Sequence, residues 1–220
     1  MTPSEMDDRE NKKARLFDFA PFDRSLEEGL AVRLRPIVPE DRGRIHLAYE
    51  LLSEESRLNR FWERPARLSE DNAERLSTVD GADHLAWIAL NPDDENFPGF
   101  GGASYWRDPD DLSRAELSFT VADAWQRQGL ATLFFSILWF EGWENGVRHF
   151  TGQCRKTNRA MVSWWSEMGG RVREGNRHLD LDLPLEDPRI FLERIAYEVL
   201  PTYRRIEVAS WLQDWREMVG

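Results

Sequence analysis

The residues with the clearest chemical potential lie in the stretch Gln126-Arg127-Gln128-Gly129-Leu130-Ala131-Thr132. A segment rich in β-branched and aromatic residues precedes this stretch, and an apolar run too long for a strand follows it. Gly129 is therefore predicted to stand at the entrance of a buried helix, where the first backbone N–H groups have no internal partner. Together with the helix dipole, these groups form an anion site, and a glycine lets a phosphate come close to the backbone. Arg127 adds positive charge and Thr132 adds a hydroxyl.

The spacing of this stretch does not fit the two common nucleotide-binding loops. It lacks both the Gly-x-x-x-x-Gly-Lys-Ser/Thr spacing of a P-loop and the three glycines of a dinucleotide-binding fingerprint. Gln126-x-x-Gly129-x-Ala131 instead resembles the acyl-CoA pyrophosphate loop of the GNAT N-acetyltransferases, Gln/Arg-x-x-Gly-x-Gly/Ala. The strand before it and the helix after it are where that family has them. Taken alone, the glycine turn would be equally compatible with packing.

A second segment resembles one branch of that family. The residues from Ser53 to Trp62 read Ser-Glu-Glu-Ser-Arg-Leu-Asn-Arg-Phe-Trp. Together with Arg33 to Ile37, they are similar to the start of the GNAT domain in the Pat-like protein-lysine acetyltransferases of bacteria. The resemblance places this segment at the border of the acceptor pocket. Its alternative interpretation is an amphipathic helix with a solvated charged face.

The resemblance implies direct transfer of an acetyl group from acetyl-CoA to an amine, in a ternary complex and without a covalent enzyme intermediate. A protonated amine is not a nucleophile, so a group must accept its proton. Glu116 lies ten residues before Gln126, where Pat-like enzymes carry their catalytic glutamate. We expect Glu116 to be the general base, directly or through a water. The alternative is a strand-surface carboxylate that faces solvent or pairs with Arg114.

The same resemblance assigns the acyl-CoA contacts. Phe119 and Val121 would offer backbone groups to the pantetheine arm, and Asn158 would contact the CoA arm from the start of the next helix. Thr157 and Asn158 could equally be only a helix cap. The pyrophosphate would be held by six consecutive residues: Arg127, Gln128, Gly129, Leu130, Ala131 and Thr132.

One position departs from the family pattern. Many GNAT enzymes carry a tyrosine seven residues after that asparagine as the acid that protonates the leaving thiolate, whereas this chain has Trp165. We expect Trp165 to pack, with a water as the acid or no acid at all. Cys154 is interpreted as a buried strand residue rather than a nucleophile. The four histidines show no metal-ligand spacing, so the sequence predicts no metal site.

A specific set of elements must position these residues. Alternation of Leu30, Val32 and Leu34 with the residues between them predicts a first strand that ends at Pro36. Residue patterns typical of helices follow this strand up to Val79. Strands at 85–90 and 97–106 lead through turns to the Glu116 strand, and the two glycines at 101–102 indicate a bulge or a close approach by another group.

The second half of the chain continues this pattern. The helix after the loop leads to a strand at 147–154, which is expected to run parallel to the Glu116 strand because a helix crosses between them. A helix that Thr157 can cap ends at Gly169-Gly170, and a strand follows at 179–183. This order predicts an α+β fold. The resemblance specifies the GNAT acyl-CoA N-acyltransferase fold, a mixed, mostly antiparallel sheet flanked by helices.

The predicted organisation has three parts: an N-terminal tail at 1–29, the GNAT domain at 30–184 and a C-terminal helical extension at 185–220. The extension carries Trp211 and Trp215 on one helical face. It is predicted to pack on the sheet, to mediate a homodimer or to cover the acceptor site. No segment resembles the cyclic-nucleotide or acyl-CoA-synthetase domains fused to some relatives, so we expect no regulation of that kind.

Composition narrows the function classes. The formal net charge of −11 over 220 residues argues against binding to nucleic acid or to anionic membranes, and is compatible with basic targets such as amines. A single cysteine excludes an internal disulfide. No apolar run reaches the length of a membrane span and no signal peptide is recognisable, so we expect a cytoplasmic protein.

The leading hypothesis is a Pat-like N-acetyltransferase that acetylates an amine, with protein lysine as the first acceptor to test. The enzymatic alternative is a small amine such as a polyamine, an amino acid or an antibiotic. The non-enzymatic alternative is a module that binds acyl-CoA as a sensor. Release of CoA thiol in the presence of different amines distinguishes the three.

Overall fold

Eight strands form one mixed sheet in the part of the chain that the structure, a computed structural model, describes: residues 21–26, 29–62 and 67–187. Along the chain they are β1 (Phe22–Ser25), β2 (Ala31–Pro36), β3 (His84–Leu90), β4 (Gly101–Arg107), β5 (Arg114–Val121), β6 (His149–Arg155), β7 (Arg171–Glu174) and β8 (His178–Pro184). In space they lie in the order β1-β2-β3-β4-β5-β6-β8-β7. The β5–β6 pair is parallel, and each other neighbouring pair of described strands is antiparallel.

Five helices flank this sheet among the described residues. They are α1 (Arg42–Glu50), α2 (Glu54–Phe61), α3 (Glu70–Ser77), α4 (Leu130–Glu144) and α5 (Arg159–Glu167). A short 3-10 turn, Pro39–Asp41, leads into α1, and a second one, Asp123–Trp125, connects β5 to the loop before α4. The predicted α+β architecture, with its mixed and mostly antiparallel sheet, is confirmed. In the described part of the chain, no helix is long and apolar enough to cross a membrane.

The feature that shapes the site is the separation of β5 from β6. These strands pair only over Arg114–Glu116 and His149–Thr151. Beyond that point β5 continues to pair with β4 as far as Val121, and β6 continues to pair with β8 as far as Arg155. Each strand thus keeps its outer partner while the two diverge, which opens a gap in the middle of the sheet.

The core lies between the sheet and α4. This helix is apolar all round, as expected for a buried helix. Its Phe134, Phe135, Ile137 and Leu138 are at most 1% exposed.

Gly101 on β4 permits close pairing with β5, because a Cβ atom at this position would lie 2.4 Å from the Thr120 carbonyl oxygen. This contact matches the close approach predicted from the glycine pair.

Two strands of the sheet were not predicted from the sequence. The first is β1, a short polar strand that pairs with β2 and is held there by a two-bond contact of Arg33 with Asp23 (2.7 and 2.8 Å). The second is β7, in which three of four residues are charged; it lies at the edge of the sheet, where a strand needs no apolar alternation. The predicted segments before residue 21 and after residue 187, including Trp211 and Trp215, lie outside the described residues.

Glu141 on α4 makes the stability of the fold depend on pH. Burial, with a smaller contribution from the charge of Glu144, raises the pKa of Glu141 to about 8, from an ordinary value of 4.5. Its Oε1 atom has no hydrogen-bond partner among the described residues. At a pH between these two values, Glu141 is therefore protonated in the folded chain but ionised in the unfolded chain. The free energy of unfolding consequently falls as the pH rises from about 4.5 to 8.

We expect Glu141→Gln to raise the free energy of unfolding by roughly 1–3 kcal/mol at pH 8, because a neutral amide avoids the burial of a charge without a partner. At pH 4 the difference should disappear, since Glu141 is then protonated in both states. Thermal unfolding at the two pH values measures this. Glu40→Gln, at an exposed position, is the control. An increase in the free energy of unfolding of Glu141→Gln that is equal at both pH values would contradict the interpretation.

Candidate active site

A cleft of about 1090 Å³ occupies the gap between β5 and β6 and extends under α2 and α3. Of the predicted site residues, nine line this cleft: Glu116, Phe119, Val121, Arg127, Gly129, Leu130, Ala131, Thr132 and Asn158. The remaining one, Gln128, is not part of the lining, and its side-chain amide donates to the Ala124 carbonyl at 3.5 Å. The structure thus gathers the residues of the two sequence segments around one cavity.

The amino end of α4 forms one end of the cleft. Gly129 is the N-cap of this fifteen-residue helix, and no side chain caps the helix. The unpaired N–H groups and the helix dipole therefore face the cavity as an anion site. Gly129 adopts a left-handed conformation (φ +88°), and Arg127 does so as well (φ 64°). The second is an uncommon conformation for a residue other than glycine, of the kind concentrated at ligand-binding turns.

The space in front of Gly129 is open. A Cβ atom at this position would meet no protein atom within 4 Å. The glycine is therefore required by its backbone conformation, and the room beside it remains for a ligand. The Thr132 hydroxyl accepts a hydrogen bond from the Trp164 indole at 3.3 Å, which leaves its own proton available for donation toward the cleft.

The exposed edge of β5 supplies backbone groups to the middle of the cleft. Ala122 donates to the Phe100 carbonyl and Asp108 donates to the Arg114 carbonyl, so the even-numbered residues turn their backbone groups toward β4. The odd-numbered residues turn theirs toward the gap left by β6. The N–H groups of Phe119 and Val121 are therefore directed toward the cleft, as an acyl-CoA arm would require, while the Gln126 side chain donates to the Val121 carbonyl at 3.1 Å.

Asn158 closes the opposite wall. Its Oδ1 accepts from the Met161 N–H at 3.1 Å, so Asn158, and not Thr157, is the N-cap of α5. The predicted capping by Thr157 is wrong because Asn158 is one residue closer to the first helical turn. The cap uses the carbonyl oxygen and leaves the amide –NH₂ group of Asn158 for a ligand.

Glu116 lies in the row of residues that crosses the sheet just before β5 and β6 separate. Its register partners are Trp106 on β4 and Thr151 on β6. The side chain is exposed and lines the cleft, and among the described residues its carboxylate makes no hydrogen bond and no ion pair. Arg114, the alternative partner considered from the sequence, donates instead to Asp182 at 2.8 Å. The carboxylate is thus available to a ligand.

Two arginines line the same cleft as this carboxylate, and neither was given a role from the sequence, although Arg60 belongs to the Ser53–Trp62 segment that the resemblance places at the acceptor pocket. Arg60 on α2 lies within electrostatic reach of both Glu116 and Arg75. Burial, together with the charge of Arg75 and against that of Glu116, lowers the pKa of Arg60 to about 10, so the guanidinium stays protonated at neutral pH. Arg75 on α3 stacks over the Trp106 ring at 4.5 Å, and that ring stacks in turn on His84 at 3.4 Å.

A hydrogen-bond network ties the acceptor side of the cleft to the loop side. Asp123 accepts from the Ser53 N–H (2.9 Å), the Ser53 hydroxyl (2.7 Å) and the Ser56 hydroxyl (2.9 Å). Burial alone would raise the pKa of Asp123, but these hydrogen bonds outweigh it and hold the pKa below its ordinary value. Gln126 also donates to the Ser56 hydroxyl at 3.3 Å. The start of α2 is therefore fixed relative to the loop that precedes α4.

Trp165 occupies the position where many relatives have a tyrosine. It is 1% exposed, and its indole nitrogen has no hydrogen-bond partner among the described residues. A Cβ atom on Gly170 would lie 2.1 Å from that nitrogen, so the N–H edge faces the end of α5. The expected packing role of Trp165 agrees with this geometry.

We expect Gly170→Ala to destabilise the fold by roughly 1–3 kcal/mol, because its methyl group would overlap the indole and force the wall of the cleft to move. Thermal unfolding measures this effect. The double variant Trp165→Leu with Gly170→Ala should lose less than the sum of the two single changes, since the smaller side chain makes room. Strict additivity would show that the two residues do not compete for the same space.

Cys154, which lines the cleft, and His84, which stacks on Trp106, are not suited to a chemical role. Cys154 is buried, and burial raises the pKa of its thiol, which disfavours the nucleophilic thiolate. Burial lowers the pKa of His84 to about 4, so its ring is neutral at physiological pH. Within residues 21–26, 29–62 and 67–187, no group of three or more histidine, cysteine, aspartate or glutamate side chains could hold a metal ion.

Comparisons with known proteins agree with this architecture. The GNAT domain of S. lividans PAT superposes with a TM-score of 0.67 at 25% identity, covering 75% of this chain and 97% of that domain. A cAMP-binding acyltransferase from Mycobacterium smegmatis has the same fold, with a TM-score of 0.57 at 19% identity, over 94% of this chain and 58% of its own length.

Sequence comparison gives the same assignment. Acetyltransferase Pat of Mycolicibacterium smegmatis is 27% identical over 178 residues, which is 79% of this chain and 52% of that protein. The chain thus spans about half the length of this curated relative. The resemblance to the Pat-like branch is confirmed. The sequence profile of the acetyltransferase (GNAT) domain matches residues 31–171, well over half of the chain, and the chain therefore belongs to the GNAT acetyltransferase family.

Proposed function

We propose that this protein transfers the acetyl group of acetyl-CoA to a primary amine, with the lysine side chain of a protein as the first acceptor. The observation that carries this proposal is the position of Glu116. Its carboxylate makes no hydrogen bond or ion pair to the described residues, and it lies in the same cleft as the uncapped amino end of α4. Membership of the GNAT family supplies the reaction type, and the Pat-like resemblance favours lysine.

The proposed reaction uses each wall of the cleft. The residues Arg127–Thr132 bind the pyrophosphate, the edge of β5 holds the pantetheine arm through backbone groups, and Asn158 contacts the same arm from α5. This arrangement brings the thioester to the point where β5 and β6 diverge. Holding both reactants in one cleft converts a bimolecular step into a nearly unimolecular one.

In the chemical step, the amine nitrogen attacks the thioester carbonyl carbon. A carbon–nitrogen bond forms, the carbon–sulfur bond breaks, and CoA leaves as a thiolate. The proton that the nitrogen gives up passes to Glu116, directly or through a water. The thiolate then takes a proton from water, because Trp165 has a poorly acidic indole that faces Gly170.

The test is to follow thiol release from acetyl-CoA with a chromogenic reagent while varying the acceptor. The panel contains lysine peptides, polyamines and free amino acids. Release that depends on an amine, with a matching gain of acetyl mass on the acceptor, is the expected result. Tight CoA binding without thiol release for any acceptor would support the alternative of a binding module.

A further inference from the structure

The acceptor side of the cleft carries two arginines in an otherwise acidic molecule. The chain carries a net charge of −11, yet the residues around Glu116 include two guanidinium groups, Arg60 and Arg75. Among the described residues, neither of them donates a hydrogen bond or forms an ion pair. An arginine has five N–H donors, and those of half-buried Arg60 and exposed Arg75 are engaged by no described carboxylate, although Glu116 lies within electrostatic reach of Arg60. The unpaired donors therefore point to a ligand that supplies an anion.

Both arginines are held in position by their own contacts. Arg60 lies at the junction of the main cleft with a small apolar cavity of about 90 Å³, which Tyr49, Leu52 and Leu76 help to line. This apolar wall explains why burial dominates the environment of Arg60. Arg75 is fixed by stacking on Trp106, the residue paired with Glu116 across β4 and β5.

The phosphates of acetyl-CoA do not satisfy these groups. Their proposed site lies at Gly129, beyond the end of β5, whereas Glu116 lies near its start. The five residue-to-residue steps from Glu116 to Val121 alone span about 17 Å of strand. The anion that pairs with Arg60 and Arg75 must therefore come from the acceptor.

We propose that Arg60 and Arg75 form an anion subsite beside Glu116, and that the acceptor is an amine with a carboxylate close to its amino group. This inference rests on the proposed acetyl transfer. A carboxylate fits better than a phosphate, because the neighbouring negative charge of Glu116 opposes a dianion more strongly. Free amino acids have this chemistry, and so does a lysine flanked by an acidic residue in a peptide. Polyamines, which carry only positive charge, should be poor acceptors.

The kinetic test compares acceptors that differ only in the carboxylate. One arm pairs lysine and leucine with lysinamide and leucinamide. The second arm pairs an end-blocked Glu-Lys peptide with its Gln-Lys counterpart. In the favoured arm, kcat/KM should be about 10- to 100-fold higher for the carboxylate acceptor, the range expected for hydrogen bonds to a charged group. The arm in which the preference appears identifies the source of the carboxylate.

The variants assign the preference to the arginines. Arg60→Gln and Arg75→Gln should each bring the ratio of kcat/KM for the carboxylate acceptor to kcat/KM for its amide close to one. Arg60→Lys should keep part of the preference, because lysine retains the positive charge but lacks the planar fork of N–H donors. Arg148→Gln is the matched control. Arg148 stacks on Trp143 at 3.9 Å, as Arg75 does on Trp106, but lies outside the cleft, so this variant should keep the wild-type ratio.

A binding measurement separates this inference from the proposed reaction. Calorimetry with CoA in place of acetyl-CoA allows no turnover, and there the carboxylate acceptor of the favoured arm should bind to the wild type about tenfold more tightly than its amide counterpart. If amides and polyamines are acetylated as fast as the carboxylate acceptors, the subsite is refuted while the acetyl transfer stands. If no amine is acetylated but the binding preference remains and is lost in Arg60→Gln, the reaction is refuted and the subsite stands. Equal binding of both acceptor types would refute the subsite in either case.

Discussion

Glu116→Gln is expected to lower kcat for acetyl transfer by roughly 10²–10⁴-fold, the usual contribution of a positioned acid or base. The substitution keeps the shape of the side chain and most of its hydrogen-bonding capacity, but removes its basicity. Affinity for acetyl-CoA should barely change, because the proposed CoA contacts come from other residues. Steady-state kinetics for kcat and calorimetry for acetyl-CoA binding measure the two effects separately.

The pH dependence gives this prediction a second readout. A lysine amine has an ordinary pKa of about 10.4, so the fraction that is already neutral rises with pH. The loss caused by Glu116→Gln should therefore shrink between pH 6 and pH 9. Glu55→Gln is the control, since Glu55 also lines the cleft but has no role in the proposed reaction.

Near-wild-type rates for Glu116→Gln from pH 6 to pH 9 would exclude Glu116 as the base. A water held by the β5 backbone, or Glu54 at the start of α2, would then be the next candidate. Glu63, the other carboxylate considered near the acceptor side, lies outside the described residues.

The parts of the site that the sequence predicted are those built from contiguous residues. The Gln126–Thr132 loop could be recognised because a strand, a glycine turn and a helix follow one another along the chain. Its chemistry depends on the backbone of this one segment. The strands around Glu116 were predictable for the same reason, since alternation and turn residues are local signals.

The acceptor side could not be predicted in the same way. Arg60, Arg75 and Trp106 belong to three different elements, and only the packing of α2 and α3 on the sheet brings them close to Glu116. In the sequence, Arg75 looks like a solvated position of an amphipathic helix, and the resemblance placed the segment of Arg60 at the acceptor pocket without giving its guanidinium a role. Asp123 was missed for a related reason, because its partners Ser53 and Ser56 are about seventy residues away. A short acidic residue beside a turn does not reveal which helix it will anchor.

CoA is expected to raise the melting temperature of the wild type, and Gly129→Val is expected to abolish that rise. A ligand that binds only the folded state at a hundred times its Kd adds about 2.7 kcal/mol of stability. For a chain of this length, that corresponds to an increase of roughly 5–11 °C. Valine at position 129 would place its branched side chain in the open space where the pyrophosphate is proposed to bind.

The difficulty with this variant is that valine also strains the backbone at a positive φ angle, which by itself costs about 1–3 kcal/mol. Gly146→Val provides a matched control at the other end of the same helix. Gly146 has a φ angle of +86°, against +88° for Gly129, and a Cβ atom there also meets nothing within 4 Å. Both variants should lose similar stability without ligand.

Only the response to CoA should distinguish the two variants. Gly146→Val should keep the full CoA-dependent increase in melting temperature, because its strain lies away from the cleft, whereas Gly129→Val should show none. Loss of the increase in both variants would mean that destabilisation of α4, and not obstruction of the anion site, removes CoA binding. An unchanged melting temperature of the wild type in millimolar CoA would show that the amino end of α4 does not bind the CoA pyrophosphate.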